Sequence, residues 1–111
     1  MIDAPSQPVL RDLARRQIER ALGGRTRYRY VRPRVEAEGD GWAVFSPNCS
    51  RRVDAAGGDI PIAWLRLGDD GAWVLHARDH AACSWIPRQR AARLVEVLGL
   101  LLRDPRREYW L

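Results

Sequence analysis

Between Asp59 and Arg78, two segments rich in branched and aromatic residues, Asp59–Leu67 and Ala72–Arg78, flank the turn-forming run Gly68-Asp-Asp-Gly71. That combination specifies an antiparallel hairpin, the feature that most limits what the chain can become. Closing the hairpin on the four loop residues sets Leu67 opposite Ala72, and with it Ile62 opposite Ala77, Trp64 opposite Leu75 and Arg66 opposite Trp73. One face is then strongly apolar. The other carries Ala63, Leu65 and Val74 beside His76 and Arg78 and is too apolar to stand in water. The termini or a partner subunit are therefore expected to cover it.

The flanking sequence supplies two helices and more strand. Ser6 suits an N-cap, Pro8 fits a first turn, and Leu10, Leu13, Ala14, Ile18, Ala21 and Leu22 recur at helical spacing up to the stop Gly23-Gly24. Arg11, Arg15, Arg16, Glu19 and Arg20 fall on the opposite side, first of all a solvated face. Near the C-terminus the spacing predicts a helix over Arg88–Arg103. Its stripe is Ala91, Leu94, Val95, Leu98, Leu101 and Leu102, widened by Val97 and Leu100, and Asp104-Pro105 ends it. The terminal Arg106-Arg-Glu-Tyr-Trp-Leu111 is aromatic enough to dock back on the body.

Upstream, Arg25–Arg34 alternates like a strand, with arginines on odd positions up to Arg29 and even positions from Arg32. The phase change predicts a bulge near Tyr30–Val31, and Pro33 favours an edge strand. Trp42–Ser46 follows the turn Glu38-Gly-Asp-Gly41 as a further strand, and Pro47–Gly58 reads as a long loop. The expected architecture is a single α+β domain over residues 1–111, in order α-β-β-β-β-α, with an antiparallel sheet of about four strands and two helices packed on one face.

Composition narrows the function. With 46% hydrophobic and 30% charged residues in 111, the chain has a globular balance and room for one core. No apolar run approaches the roughly 18 residues of a membrane span, and no secretory leader is visible, so the expected compartment is the cytoplasm, with Cys49 and Cys83 as reduced thiols. All 19 basic residues are arginine, which suits the coding bias of a G+C-rich bacterial-type genome. Without lysine there is neither a Walker phosphate lysine nor a Schiff base, and GxGxxG, HExxH, CxxC and GxSxG are all missing. A non-enzymatic binding module with no cofactor is the expectation. The net charge of +5 is unevenly spread: nine arginines face three acids over residues 1–34, four face eight over 35–87, and six face three over 88–111.

Three constellations carry candidate chemistry. In the first, Arg25, Arg27, Arg29, Arg32 and Arg34 would hold phosphates while Tyr28 and Tyr30 stack on unpaired bases, a pattern suited to RNA or single-stranded nucleic acid. The competing reading has these arginines neutralise Glu36, Glu38 and the acidic middle of the chain. In the second, Asn48, Ser50, Arg51 and Arg52 would form an anion-binding loop, against a structural role as turn residues around a buried Cys49. The third is a thiol and histidine cluster, with Cys49 paired to His80 and Asp79 or Asp59 orienting the ring. Cys49, His76, His80 and Cys83 also suffice in number for tetrahedral zinc, but their spacing matches no standard finger, so no metal is assigned. Beyond nucleic acid, the expected partners are another protein or a second copy of the chain, and not a membrane.

Overall fold

The computed structural model describes residues 7–23, 33–47 and 58–110. Helix α1 (Gln7–Gly23) is followed by strands β1 (Arg34–Glu38), β2 (Gly41–Pro47), β3 (Asp59–Leu67), β4 (Trp73–Asp79) and β5 (Ser84–Ala91), and then by helix α2 (Leu94–Arg103). The strands form one antiparallel sheet in the order β1-β2-β3-β4-β5, so neighbours in sequence are neighbours in space. Both helices bury their apolar stripes on one face of it. Ile18 and Leu22 from α1, and Leu94, Val97, Leu98 and Leu101 from α2, join Val35, Trp42, Val44, Leu65, Leu75 and Ala77 in a common core. The α+β arrangement with both helices on one face is thus the one the pattern predicts. Neither described helix is long and apolar enough to cross a membrane.

The central hairpin forms between the expected segments but in a different register. The Gly68 N–H donates to the Ala72 carbonyl at 2.7 Å, the Gly71 N–H donates to the Gly68 carbonyl at 3.0 Å, and Gly71 takes φ +85°. The loop is therefore three residues closed by a left-handed glycine, not four. Pairing moves by one residue, to Ala63 with Ala77, Trp64 with His76, Leu65 with Leu75, Arg66 with Val74 and Leu67 with Trp73. Because side chains alternate with period two, the shift regroups the faces. Ala63 and Leu65 join Leu75 and Ala77 in the core, while Trp64 and Arg66 lie with His76 and Val74 on the other side. The two half-apolar faces expected from the sequence are replaced by one fully apolar face and one of mixed aromatic and basic character. A bulge completes the sorting. Val44 pairs with Ala63 but Phe45 pairs with Pro61, which leaves Ile62 as the extra residue and turns both Ile60 and Ile62 into the core beside Ala63 and Leu65.

The fifth strand corrects the helix expected over Arg88–Arg103. Ser84–Ala91 pairs along β4, with Trp85 opposite Arg78, Pro87 opposite His76 and Gln89 opposite Leu75, so the helix begins only at Leu94. Arg88–Ala91 has a helical composition, but the open edge of β4 offers it a ladder, and tertiary pairing outweighs a weak local preference. Pro87 is tolerated because β5 is an edge strand. At the opposite edge, β1 starts at Arg34, directly after Pro33; the strand expected over residues 25–32 and the loop over 48–57 lie outside the described residues.

Two further contacts fix the ends of the sheet. Arg11 and Arg15 of α1 stack on Trp42, at 4.6 and 5.7 Å from its ring centroid, and donate to the carbonyls of Asp40 and Val35. Part of the arginine face of α1 is therefore a clamp on the β1–β2 hairpin. After α2, Asp104 adopts a left-handed φ of 41°, and its carboxylate accepts the backbone N–H groups of Glu108, Tyr109 and Trp110 at 2.7, 3.1 and 3.0 Å. The tail turns back as its aromatic content predicts. Tyr109 is 2% exposed and donates its hydroxyl to Gln89, and the Trp110 indole donates to the Leu101 carbonyl. Burial raises the Tyr109 hydroxyl well above its ordinary pKa, which keeps the proton needed for that bond.

Candidate nucleic-acid interface

With both helices on one side, the opposite face of the sheet carries Trp64 and Arg66 from β3, Val74, His76 and Arg78 from β4, and Trp85 and Arg90 from β5. The two indoles are near-parallel, at 23°, with centroids 6.3 Å apart, and the His76 ring lies 4.7 Å from that of Trp64. Both indole N–H groups go to a single residue: Trp64 donates to the Glu38 carbonyl at 3.0 Å and Trp85 to the Glu38 carboxylate at 2.7 Å. Their N–H groups are satisfied within the chain, and both rings are half-buried. Gly41 makes room for this arrangement, since a Cβ there would stand 2.7 Å from the Trp64 Nε1 atom.

The charged groups around the rings differ in their commitments. Arg34 stacks 4.3 Å from the Phe45 ring centroid and pairs with Glu36 and Asp59. Arg66 pairs with Asp40 at 2.7 Å, a contact that lowers the Asp40 carboxyl below its usual range, and Arg90 pairs with Asp70. At these positions the arginines do neutralise the acidic middle of the chain. Arg78 differs: its guanidinium lies 4.8 Å from the Trp85 centroid and pairs with no carboxylate among the described residues. A stacked guanidinium keeps its N–H edge available to a phosphate.

His76 is a buried, non-titrating member of this surface at neutral pH. Its Nδ1–H donates to the Trp64 carbonyl at 3.2 Å, and burial, the largest influence, lowers its pKa below 6.5. Folded His76 thus binds a proton less readily than the unfolded chain does. Stability from this source is complete above the unfolded pKa of about 6.5 and declines as pH falls below it. His80, also lowered by burial, adds in the same direction. Urea midpoints measured from about pH 7.5 down to about pH 5 should fall in the wild type and fall less in His76→Phe.

The other candidate sites divide between described and undescribed residues. Arg25, Arg27, Tyr28, Arg29, Tyr30 and Arg32 lie outside the described residues, as do Asn48, Cys49, Ser50, Arg51 and Arg52. Asp79, His80 and Cys83 do come together, in the β4–β5 turn, but as turn residues. The Asp79 carboxylate accepts the Ala82 N–H at 3.0 Å, and the exposed Cys83, at φ 52°, directs its thiol to the His80 carbonyl at 3.6 Å rather than to the ring. Asp59 is held by Arg34. Among the described residues no three His, Cys, Asp or Glu side chains are grouped to hold a metal.

The residues that reading the sequence did not single out are Trp64, Trp85 and Arg78. The signal was the alternation of Trp64-Leu-Arg66 and Trp85-Ile-Pro87 on strands, which points aromatic and basic residues to one side. A four-residue loop and a helix starting at Arg88 hid it. No curated protein and no solved structure matches the chain. A family match covers residues 5–111, and the chain belongs to that family, Domain of unknown function (DUF3024).

Proposed function

We propose that the protein is a non-enzymatic module that binds single-stranded nucleic acid across the sheet face opposite α1 and α2. The observation carrying this reading is the Trp64–Trp85 pair, two half-buried, near-parallel indoles on the sheet face away from α1 and α2, with their N–H groups bonded to Glu38 and Arg78 stacked on Trp85. Aromatic faces accept any base, and stacking contributes about 1–3 kcal/mol per base. Arg78 beside Trp85 supplies a phosphate contact, and Arg34, Arg66 and Arg90 ring the same face. Their ion pairs with Glu36, Asp59, Asp40 and Asp70 are exposed, and such pairs contribute only about 0–1 kcal/mol, so a phosphate displaces them at little loss. The segment Arg25–Arg32 immediately precedes β1 and adds Arg25, Arg27, Arg29 and Arg32 with Tyr28 and Tyr30 to the same proposed function.

Labelled single-stranded RNA and DNA oligomers titrated with the protein at increasing salt provide the test. The expected result is a steep salt dependence, with Trp64→Ala and Trp85→Ala each weakening binding by about 1–3 kcal/mol. Arg78→Gln should reduce the slope of log K against log salt by about 0.7. Absence of salt-dependent binding at low ionic strength would overturn the function. Binding that ignores both tryptophan substitutions but vanishes when Arg25, Arg27 and Arg29 are changed would move the site off the sheet.

A further inference from the structure

We propose that Glu38 makes this surface selective for guanine, its carboxylate accepting the two N–H donors on the edge of a base stacked against the tryptophans. This rests on the nucleic-acid binding proposed for the same face and adds to it the identity of the base. Trp64 donates its Nε1–H to the Glu38 carbonyl at 3.0 Å, and Trp85 donates its own to the Glu38 carboxylate at 2.7 Å. Both indoles therefore turn the same edge to one residue. A base lying against either ring brings its own edge to that place.

What the base meets there is a charge. The carboxylates of Glu36, Asp40, Asp59 and Asp70 are neutralised by Arg34, Arg66 and Arg90, whereas Glu38 is exposed and joins no ion pair among the described residues. An unneutralised carboxylate repels phosphate, and a glutamine oxygen in its place would hold the Trp85 indole as well. What the charge adds is a group that only accepts, with about four lone-pair sites of which Trp85 takes one. Among the common bases, only guanine sets two donors side by side, N1–H and the N2 amino group, on its Watson–Crick edge. Adenine and cytosine place a ring-nitrogen acceptor beside their amino group, and uracil and thymine place their single N–H between two carbonyls. A carboxylate is partly repelled by each of these four. Unpaired bases are read at this edge, and a good bidentate contact discriminates by about 5- to 150-fold. Arg78, stacked on Trp85, remains for the phosphate.

Fluorescence anisotropy on the full chain, with labelled oligouridylate RNA carrying a single central base of varied identity, tests it. The wild type should prefer guanosine to adenosine, cytidine and uridine by at least about fivefold. Inosine, which lacks the N2 amino group, and 1-methylguanosine, which lacks the N1 proton, should each lose much of that preference. Glu38→Gln keeps an oxygen for Trp85, and in it the ratio of guanosine to uridine affinity should fall to near unity. The wild-type series with inosine and 1-methylguanosine decides the matter if Glu38→Gln does not fold. Salt-dependent binding with no preference among bases overturns the selection of guanine and leaves nucleic-acid binding standing. A guanosine preference that survives Glu38→Gln, or that both altered guanosines share, also overturns it. Absence of binding to every strand at low salt overturns both.

Discussion

Replacing Asp104 with alanine is expected to destabilise the fold by about 4 kcal/mol, a large loss for a side chain that touches no ligand. Its carboxylate accepts three backbone N–H groups, those of Glu108, Tyr109 and Trp110. Hydrogen bonds to a charged group contribute about 1.5–3 kcal/mol each, less where the donor reaches water, as those of Glu108 and Trp110 partly do. Asp104 also stands at φ 41°, where alanine is strained by roughly 1–2 kcal/mol. Behind these bonds stands the tail itself, because losing the turn releases Tyr109 from Gln89 and Trp110 from Leu101. Thermal and urea melts should show the loss as a fall in Tm of about 15 °C or more. Asp104→Asn keeps one oxygen and tolerates the left-handed conformation, so its loss should be about half as large. Equal, small effects for both substitutions would mean that the tail holds itself in place by packing alone.

How far the sequence foretold this fold is best judged at particular residues. Helix α1 ends at Gly23 and α2 buries Leu94, Leu98 and Leu101, because helical periodicity and stop signals are properties of local sequence. The hairpin around Gly68–Gly71 was equally legible as an element. Its register was not: that depends on whether Gly71 closes the loop in the left-handed region, and Asp69-Asp-Gly71 permits either geometry. One residue of difference then moved Trp64 from the expected core to the face opposite the two helices. Residues 88–91 failed for a different reason. Arg-Gln-Arg-Ala prefers a helix in isolation and becomes strand only because the edge of β4 is vacant, which no local window contains. The candidate site depends on both events, since Trp64 and Trp85 meet only when the register has shifted and β5 exists. Asp79, His80 and Cys83 share the β4–β5 turn, where they bond as turn residues, Asp79 to the Ala82 N–H and Cys83 to the His80 carbonyl, while Cys49 lies outside the described residues.

Substituting Gly41 with alanine should damage stability and the proposed binding surface together, and the two effects can be separated. An added Cβ would stand 2.6 Å from the Leu65 carbonyl oxygen, and 2.7 and 2.8 Å from Nε1 and Cε2 of Trp64. The first contact is with backbone in the adjacent strand and cannot be relieved by a rotamer change. The others can be relieved only by lifting the indole, which breaks its bond to the Glu38 carbonyl and its alignment with Trp85. Overpacking of this kind costs about 1–3 kcal/mol, and the upper part of that range is expected because strand and side chain are both obstructed. In a Trp64→Ala background the indole clash is gone while the Leu65 clash remains, so a double-mutant cycle divides the penalty between them. Gly39→Ala is the control. Its φ of +59° imposes left-handed strain of roughly 1–2 kcal/mol, but its Cβ would lie 3.7 Å from Trp64, an ordinary contact that leaves the indole in place. Urea midpoints should therefore fall for both glycine substitutions. Affinity for single-stranded oligomers should fall only for Gly41→Ala, and to about the level of Trp64→Ala. If Gly41→Ala lowers stability while binding holds at the wild-type level, the orientation of Trp64 is a feature of folding alone. The stacking surface would then have to be sought on Trp85 and the Arg25–Arg34 segment.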